Sequence, residues 1–440
     1  MRILIISEYI APLQAVASIR WTKIAKYIKK SYPDSYITVF TNQKNFENET
    51  EGLLQQKKDP MLEKDMEVFD KYLEFPSGRI AGIYEKMKAA KRGRLRHYVQ
   101  LNKYTQVDDI KANIKKALFM AALDLRDYGI YLRAKSALKS TSENYDIIIS
   151  SHGPSWTHRL AAHIKKKCLQ VRWIADYRDP YARDWEDPIS YQRHKHFSQN
   201  ICAKADVILR VTDGLETHTL NSIPVITVSN GFDPAERLPP KAPKKFSIVF
   251  TGLLYGEMSD IGIACRVLRE LCDENRIARE DVEVSYAGPD GKLAMELAQR
   301  YAAGEFIKDY GVCSRKVALS MQQNAAILLQ LHWNTDNEKC SWSGKMYEYM
   351  MSGKPIVCII TGNVPNSIPS REIYHLGGCC YEQCRHEETY PQIKAYILEK
   401  YQEWKTTGNV NVKQDKEYIE QYSYARISHR VWELIDCDSI

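Results

Sequence analysis

DPAERLPPKAPKKFSIVFTG, residues 233–252, holds the sharpest change of character in this chain. Its first thirteen residues carry four prolines and six charges, with Leu238 as the one large apolar residue. Such a composition cannot bury itself and reads as a linker. FSIVFTG (246–252) follows at once, an apolar run closed by a glycine, which reads as a buried strand. A strand–helix rhythm extends in both directions from this point. Upstream, strands are expected at ILII (3–6), YITVF (36–40), DIII (146–149), VRWIA (171–175), DVILRV (206–211) and VITVS (225–229). Downstream they are expected at VEVSYAG (282–288), FIKDYG (306–311), AAILLQL (325–331) and KPIVCII (354–360). Between the first two runs, Ala17, Trp21, Ile24, Ala25 and Ile28 recur on one helical face. Short apolar runs alternating with helices specify α/β domains with parallel sheets. The chain therefore reads as two consecutive α/β domains, 1–236 and 246–414.

Two stretches break the rhythm. Residues 45–140 are charged and rich in tyrosine, with helical spacing and few strands, and read as a long helical insertion in the first domain. At the far end, Ile427, Val431, Leu434 and Ile435 share one face of an amphipathic helix at 424–440.

Bulk properties narrow the function classes. With 440 residues, 44% hydrophobic and 27% charged, the composition is that of a globular protein of two or three domains. No run of about 18 apolar residues offers a membrane span. MRILIISEY is interrupted by Ser7 and Glu8 too early for a secretory leader, so a cytoplasmic location is expected. The eleven cysteines show no paired framework, which suits a reducing compartment. Cys379, Cys380, Cys384 and His386 resemble part of a zinc site but lack a second spaced pair; a strand end and loop is the better reading, and no metal is expected. The net charge of +7 is concentrated: Lys86, Lys88, Lys91, Arg92, Arg94, Arg96 and Lys103 occur in one run. With Leu95, Tyr98, Val99 and Leu101 interleaved, that run suits an anionic membrane surface, with Lys91, Arg92, Arg94 and Arg96 as the patch; a solvated helix face is the alternative. No nucleic-acid motif accompanies it. No G-x-G-x-x-G follows the first strand, which argues against a nicotinamide dehydrogenase.

The chemistry is concentrated in SGKMYEYMMSGKPIVCII, residues 343–360. Ser343–Gly344 can open a helix and Ser352–Gly353 can close it ahead of a strand. A helix start presents unpaired N–H groups and the positive end of a dipole, which suits a diphosphate, and Lys345 in the first turn adds a full charge. Glu348, one turn on, can accept two hydrogen bonds from a ribose diol. A capped surface helix with a charged face is the plain alternative. Gly252 lets backbone approach a diphosphate closely, and Gly231 serves chain direction near the hinge.

This segment resembles the donor-binding motif of retaining GT-B glycosyltransferases of family 4, a glutamate pair followed by a small-residue turn and Pro-Val. DIIISSHGP (146–154), IADYRDP (174–180), ADVILRVTDGL (205–215), VSNGFDP (228–234), FTGLLYG (250–256) and YGVCSRKVALSMQQNAAILLQL (310–331) resemble other family stretches in the right order. The likeness covers nearly everything except 45–140 and is greatest to members that build capsule or O-antigen polysaccharide. It implies two Rossmann-like domains facing a central cleft, with the C-terminal helix packed back on the first. It further implies a UDP- or GDP-linked sugar donor, a saccharide or lipid-linked acceptor at the inner membrane face, and retention without metal or other cofactor. On this resemblance His152 lies near the donor sugar, and Lys345 with Arg178 or Arg183 faces the leaving diphosphate. Gly252, Tyr255, Ser343, Gly344 and Glu348 line the donor, with the Gly311–Val312 backbone at the base. An Arg178–Asp179 pair that merely holds its loop is the structural alternative.

Three departures stand beside these matches. The first motif glutamate, eight residues before Glu348, is Cys340; Leu253 and Met258 fall where the family carries basic residues; APLQAVAS replaces a glycine-rich loop after the first strand. Two rival readings therefore stay open, a GT-B-like binding or accessory protein without turnover and a nucleotide-sugar epimerase of the same fold.

Overall fold

The computed structural model describes residues 1–44, 57–78, 81–82, 110–139, 144–182, 186–219, 222–239, 241–336 and 342–436. Contacts divide the chain into two compact units, Met1–Asn230 with Ile427–Ile440, and Gly231–Arg426.

The first unit is built on a seven-stranded parallel sheet. Its strands are β1 (Arg2–Ile6), β2 (Tyr36–Asn42), β3 (Lys71–Phe75), β4 (Ile147–Ser151), β5 (Arg172–Tyr177), β6 (Val207–Arg210) and β7 (Val225–Thr227), in the spatial order β3-β2-β1-β4-β5-β6-β7. Strands covered on both faces must be apolar throughout, which is why Ile3–Ile6 and Ile147–Ile149 read as continuous hydrophobic runs. Trp156, Leu160, Trp173, Phe40 and Phe75 fill the core against them. In the helix Val16–Ser31, Trp21, Ile24, Ala25 and Ile28 are buried, as the 3.6-residue period requires. The last helix, Tyr424–Asp436, buries Ile427, Val431 and Ile435, and the Trp432 ring stacks on Tyr32 at 3.9 Å.

Two sequence expectations need correction. The stretch 45–140 is not wholly helical: Lys71–Phe75 is a strand pairing in parallel with β2 at the sheet edge. KYLEF hides it because an edge strand keeps partly exposed polar positions. Further on, Ile110–Leu138 is a helix of 29 residues. The unit boundary also precedes the proline-rich stretch instead of falling within it. Phe232 exchanges backbone hydrogen bonds with Tyr422 and Tyr424, at 3.0 and 2.8 Å. Trp404 Nε1 donates to Pro243 O at 2.9 Å and Lys354 Nζ to Lys241 O at 2.7 Å. The stretch is stapled along the second unit, with Pro removing donors it has no other use for.

The second unit holds a six-stranded parallel sheet. Its strands are β8 (Phe246–Thr251), β9 (Val282–Ala287), β10 (Ile307–Asp309), β11 (Ile327–Trp333), β12 (Ile356–Thr361) and β13 (Cys379–Glu382), in the order β10-β9-β8-β11-β12-β13. Phe246, Ile248, Phe250, Val284, Leu329 and Ile359 anchor its core. In open sheets of this kind ligands bind outside the carboxyl ends of strands where the order reverses. The reversals fall between β1 and β4 in one sheet and between β8 and β11 in the other. Among the described residues, no helix is long and apolar enough to cross a membrane.

Candidate functional site

At the reversal of the second sheet, β8 ends and the chain turns through Gly252 at φ 129°, a conformation that favours glycine. Gly252 N donates to Ala287 O at 2.7 Å, and Gly252 O accepts from the Tyr286 hydroxyl at 3.0 Å, so the turn is fixed by β9. The helix Gly344–Ser352 runs beside it, closed by Gly353 in the left-handed region. Ser343 precedes the first turn, but its hydroxyl makes no cap bond; it accepts from Gln330 Nε2 at 2.9 Å.

Lys345 leaves this helix and lies across the bare face of Gly252. A Cβ on Gly252 would sit 2.3 Å from Lys345 Cε, so any other residue, besides being strained at this φ, would push the lysine aside. The ammonium lies 5.0 Å from the Phe250 ring centre and makes no hydrogen bond or ion pair among the described residues. Burial lowers its pKa, opposed by the charge of Glu348.

Glu348 is held from two sides. Its Oε1 accepts from Arg315 Nε at 3.3 Å and its Oε2 from Gln322 Nε2 at 3.0 Å. Arg315 also pairs with Glu236 at 2.6 Å, and Gln322 Nε2 reaches Thr251 Oγ1 at 3.0 Å. The carboxylate is thereby aimed, with one further acceptor direction left on each oxygen. The Gln322 side-chain oxygen is buried without a partner. Gly311, at φ 66°, follows β10 and donates to Asp309 Oδ1 at 2.8 Å, with Tyr310 and Val312 exposed on either side. Tyr255 is exposed above Trp333, with ring centres 5.3 Å apart. Leu253 and Met258 bring no cation to this turn; Lys345 is the basic residue that does so among the described residues.

In the first unit the candidate residues follow β4 and β5, on one side of the reversal. His152 is buried, its Nδ1 3.2 Å from Asp179 O and its ring packed among Tyr177, Tyr181 and His158. Arg178 does not pair with Asp179. Its Nη2 donates to the carbonyls of His152 and Gly153 at 3.0 and 2.9 Å, and its Nε to Ser151 Oγ at 3.1 Å. Arg178 thus holds the His152 loop, and most of its donors are spent there. Ser151 Oγ in turn donates to Asp176 at 3.0 Å, whose carboxylate takes Arg20 at 2.9 Å and Trp21 Nε1 at 2.7 Å. Across the reversal, past the end of β1, Glu8 is buried. Burial alone would raise its pKa, but Arg126, Lys44 and the Trp156 indole bring it down to about 2.

No protein-family model matches this chain, and no curated protein matches it in sequence. Solved structures do. α,α-Trehalose 6-phosphate synthase from Burkholderia multivorans superposes with a TM-score of 0.57 at 9% identity, covering 99% of this chain and 98% of that one. Sucrose-phosphate synthase from Thermosynechococcus elongatus gives 0.56 at 10% identity, over 99% and 98%. A TarM variant from S. aureus, in complex with fondaparinux, α-GlcNAc-glycerol and UDP, gives 0.56 at 10% identity, over 99% and 100%.

The chain has the GT-B fold.

Within that fold the second unit gathers Gly252, Ser343, Gly344, Lys345 and Glu348 around one turn, and Gly311, Val312 and Tyr255 occupy neighbouring strand ends. Arg315 and Gln322, which aim Glu348, escape a reading of the sequence. Both lie in the quoted 310–331 stretch, but nothing in the spacing says that a helix from another part of the chain meets Glu348. Cys340, Arg183 and the basic residues Lys91, Arg92, Arg94 and Arg96 lie outside the described residues.

Proposed function

We propose that the protein is a glycosyltransferase that binds the diphosphate of a nucleotide-sugar at Lys345 and the start of the Gly344–Ser352 helix. The observation that carries this reading is the Lys345 ammonium, half-buried against a glycine-bared turn, with the charge of Glu348 nearby but no hydrogen bond or ion pair among the described residues. A buried unpaired charge is costly, so its retention points to an anion that completes the site. Glu348 then takes the ribose diol, and the Gly311–Val312 turn meets the base. UDP-linked donors are the first choice, because UDP and UDP-2-fluoro glucose are named in the complexes of two proteins of this fold.

Glycosyl transfer builds positive charge at the anomeric carbon and negative charge on the departing diphosphate. Lys345 and the helix dipole meet that negative charge where it grows. Following the family resemblance, the transfer retains anomeric configuration and needs no metal. The donor is a hexosyl or N-acetylhexosaminyl nucleotide. The acceptor is a saccharide or lipid-linked glycan of cell-surface polysaccharide synthesis, met at the inner face of the membrane. His152, held in place by Arg178 and Asp179, lies in the unit that takes the acceptor. Cys340, standing in place of a motif carboxylate, supports the second reading of a binding protein without turnover. The test is calorimetry and turnover with a panel of UDP- and GDP-sugars. Binding with transfer supports the enzyme, binding without transfer or hydrolysis the accessory protein, and no binding at all removes both.

A further inference from the structure

The helix Ile110–Leu138 packs one side against the first unit and leaves a second apolar side open. Ile114, Leu118, Leu125, Tyr128 and Leu132 are all exposed, Leu118 by 66% and Leu125 by 58%. At about 100° per residue these five positions fall within an arc of about 80°, and at about 1.5 Å per residue they form a stripe about 27 Å long. Ala121, also exposed, fills the gap in the stripe. Isolated exposed leucines need no explanation, but a continuous stripe on a long helix does.

Among the described residues of this helix, the charges without an ion pair have one sign. Lys115, Arg133, Lys135 and Lys139 flank it or close its C-terminal end, and none makes an ion pair among the described residues. The carboxylates of the same helix, Asp124 and Asp127, pair inward with Arg193, His194 and Arg126. Lys166 and Lys167 of the helix Trp156–Lys167 join the cationic end. Burial first, then the charges of Lys135, Lys167, Lys139 and Lys166, push the pKa of His163 down, which places four lysines around one imidazole.

We infer that this stripe is a docking surface for an anionic lipid bilayer. Leu118, Leu125 and Tyr128 enter the headgroup boundary while the flanking lysines meet lipid phosphate. A second copy of the chain fits less well, because pairing two such helices sets unpaired cations against cations with no exposed carboxylate among the described residues of the helix to answer them. Nucleic acid would use the lysines but leave the leucines in water. The inference deepens the proposal of an acceptor met at a lipid surface and rests on it for its purpose; the binding itself needs no donor.

The test is co-sedimentation of the full chain with vesicles of phosphatidylcholine alone and of phosphatidylcholine with phosphatidylglycerol. Light scattering and UDP calorimetry run in parallel. The native chain is expected to pellet with the anionic vesicles only, and to be released as salt rises. Leu118→Glu with Leu125→Glu should lower the vesicle partition constant by about tenfold or more, with the salt-dependent remainder lost in Lys135→Glu with Lys139→Glu. Both pairs are at the surface, so unchanged UDP affinity and an unchanged unfolding midpoint report an intact fold. A native chain that ignores anionic vesicles at low salt overturns the inference. So does a leucine variant that pellets like the native chain, which would move the contact elsewhere, or one that instead turns a dimer into a monomer. If UDP does not bind but sedimentation behaves as described, the glycosyltransferase reading falls and the docking surface stands.

Discussion

Lys345→Met separates function from stability at one atom. The ammonium is half-buried, has no ion-pair or hydrogen-bond partner among the described residues, and lies against Phe250 and the Gly252 backbone. Methionine keeps most of the stem and removes the charge. Leaving a polar group buried without a partner costs about 1–3 kcal/mol, so the unliganded variant should be more stable than the native chain by about 1 kcal/mol or more. The sign carries a pH signature. Because the folded-state pKa of Lys345 is lowered, the unfolded chain binds more protons between that value and about 10.4, and stability rises with pH across that interval. The penalty is fully present below the folded-state pKa and relieved above it, and the Met variant should lose that rise. Ligand reverses the order. UDP at a hundred times its dissociation constant adds about 2.7 kcal/mol to the native chain. The variant, lacking a charge-assisted contact of about 1.5–3 kcal/mol, should bind UDP about tenfold or more weakly and gain correspondingly less. Thermal unfolding with and without UDP, paired with calorimetry, reads both effects. A variant that is less stable without ligand, or that UDP stabilises as much as the native chain, refutes the view that Lys345 waits for an anion.

Other outcomes follow from the same geometry. Glu348→Gln keeps Arg315 paired with Glu236 but forfeits a charged acceptor, so UDP affinity should fall about tenfold with the fold intact; unchanged affinity by calorimetry removes the ribose assignment. Gly252→Ala places a methyl 2.3 Å from Lys345 Cε at a strained φ, and should both lower the unfolding midpoint and weaken UDP binding more than Ala substitution at exposed Gly214, which has open space around it. Trp432→Ala, which empties the stack on Tyr32, should cost about 3 kcal/mol by chemical denaturation, and deleting residues from Tyr424 onward should cost solubility. His194 loses charge stability to burial but regains more from Asp124 and Glu186, which raise its pKa to about 9. A raised pKa means that this contribution is complete below about 6.5 and lost as pH rises through about 9. His194→Gln should flatten the stability profile in that window, and a His194 ring titrating near 6.5 by NMR would contradict the paired geometry.

The periodicity of the chain was enough to specify two parallel α/β units, because a strand buried on both faces must be apolar at every position. Ile3–Ile6, Ile147–Ile149 and Ile356–Ile360 satisfy that on composition alone. The helix Gly344–Ser352 was equally legible at its C-terminal end, where Gly353 is a local stop signal, whereas the Ser343 hydroxyl caps nothing and is taken by Gln330. What composition could not specify was contact at long range. Lys71–Phe75 became a strand only by adding to β2, an edge position that tolerates the polar residues that concealed it. The proline-rich stretch looked like a free linker, and only the carbonyl contacts of Lys241 and Pro243 with Lys354 and Trp404 attach it to the second unit. A pair of Arg178 with its sequence neighbour Asp179 was the structural alternative, but the fold gives Arg178 the carbonyls of His152 and Gly153 instead. At the donor site the sequence singles out Lys345, Glu348 and Gly252 by type. The fold decides that Gly252 lies bare beneath the lysine and that Arg315 and Gln322, some thirty residues upstream, aim the glutamate. Side-chain chemistry is written locally, whereas which group faces which is settled by how the strands are ordered in the sheet.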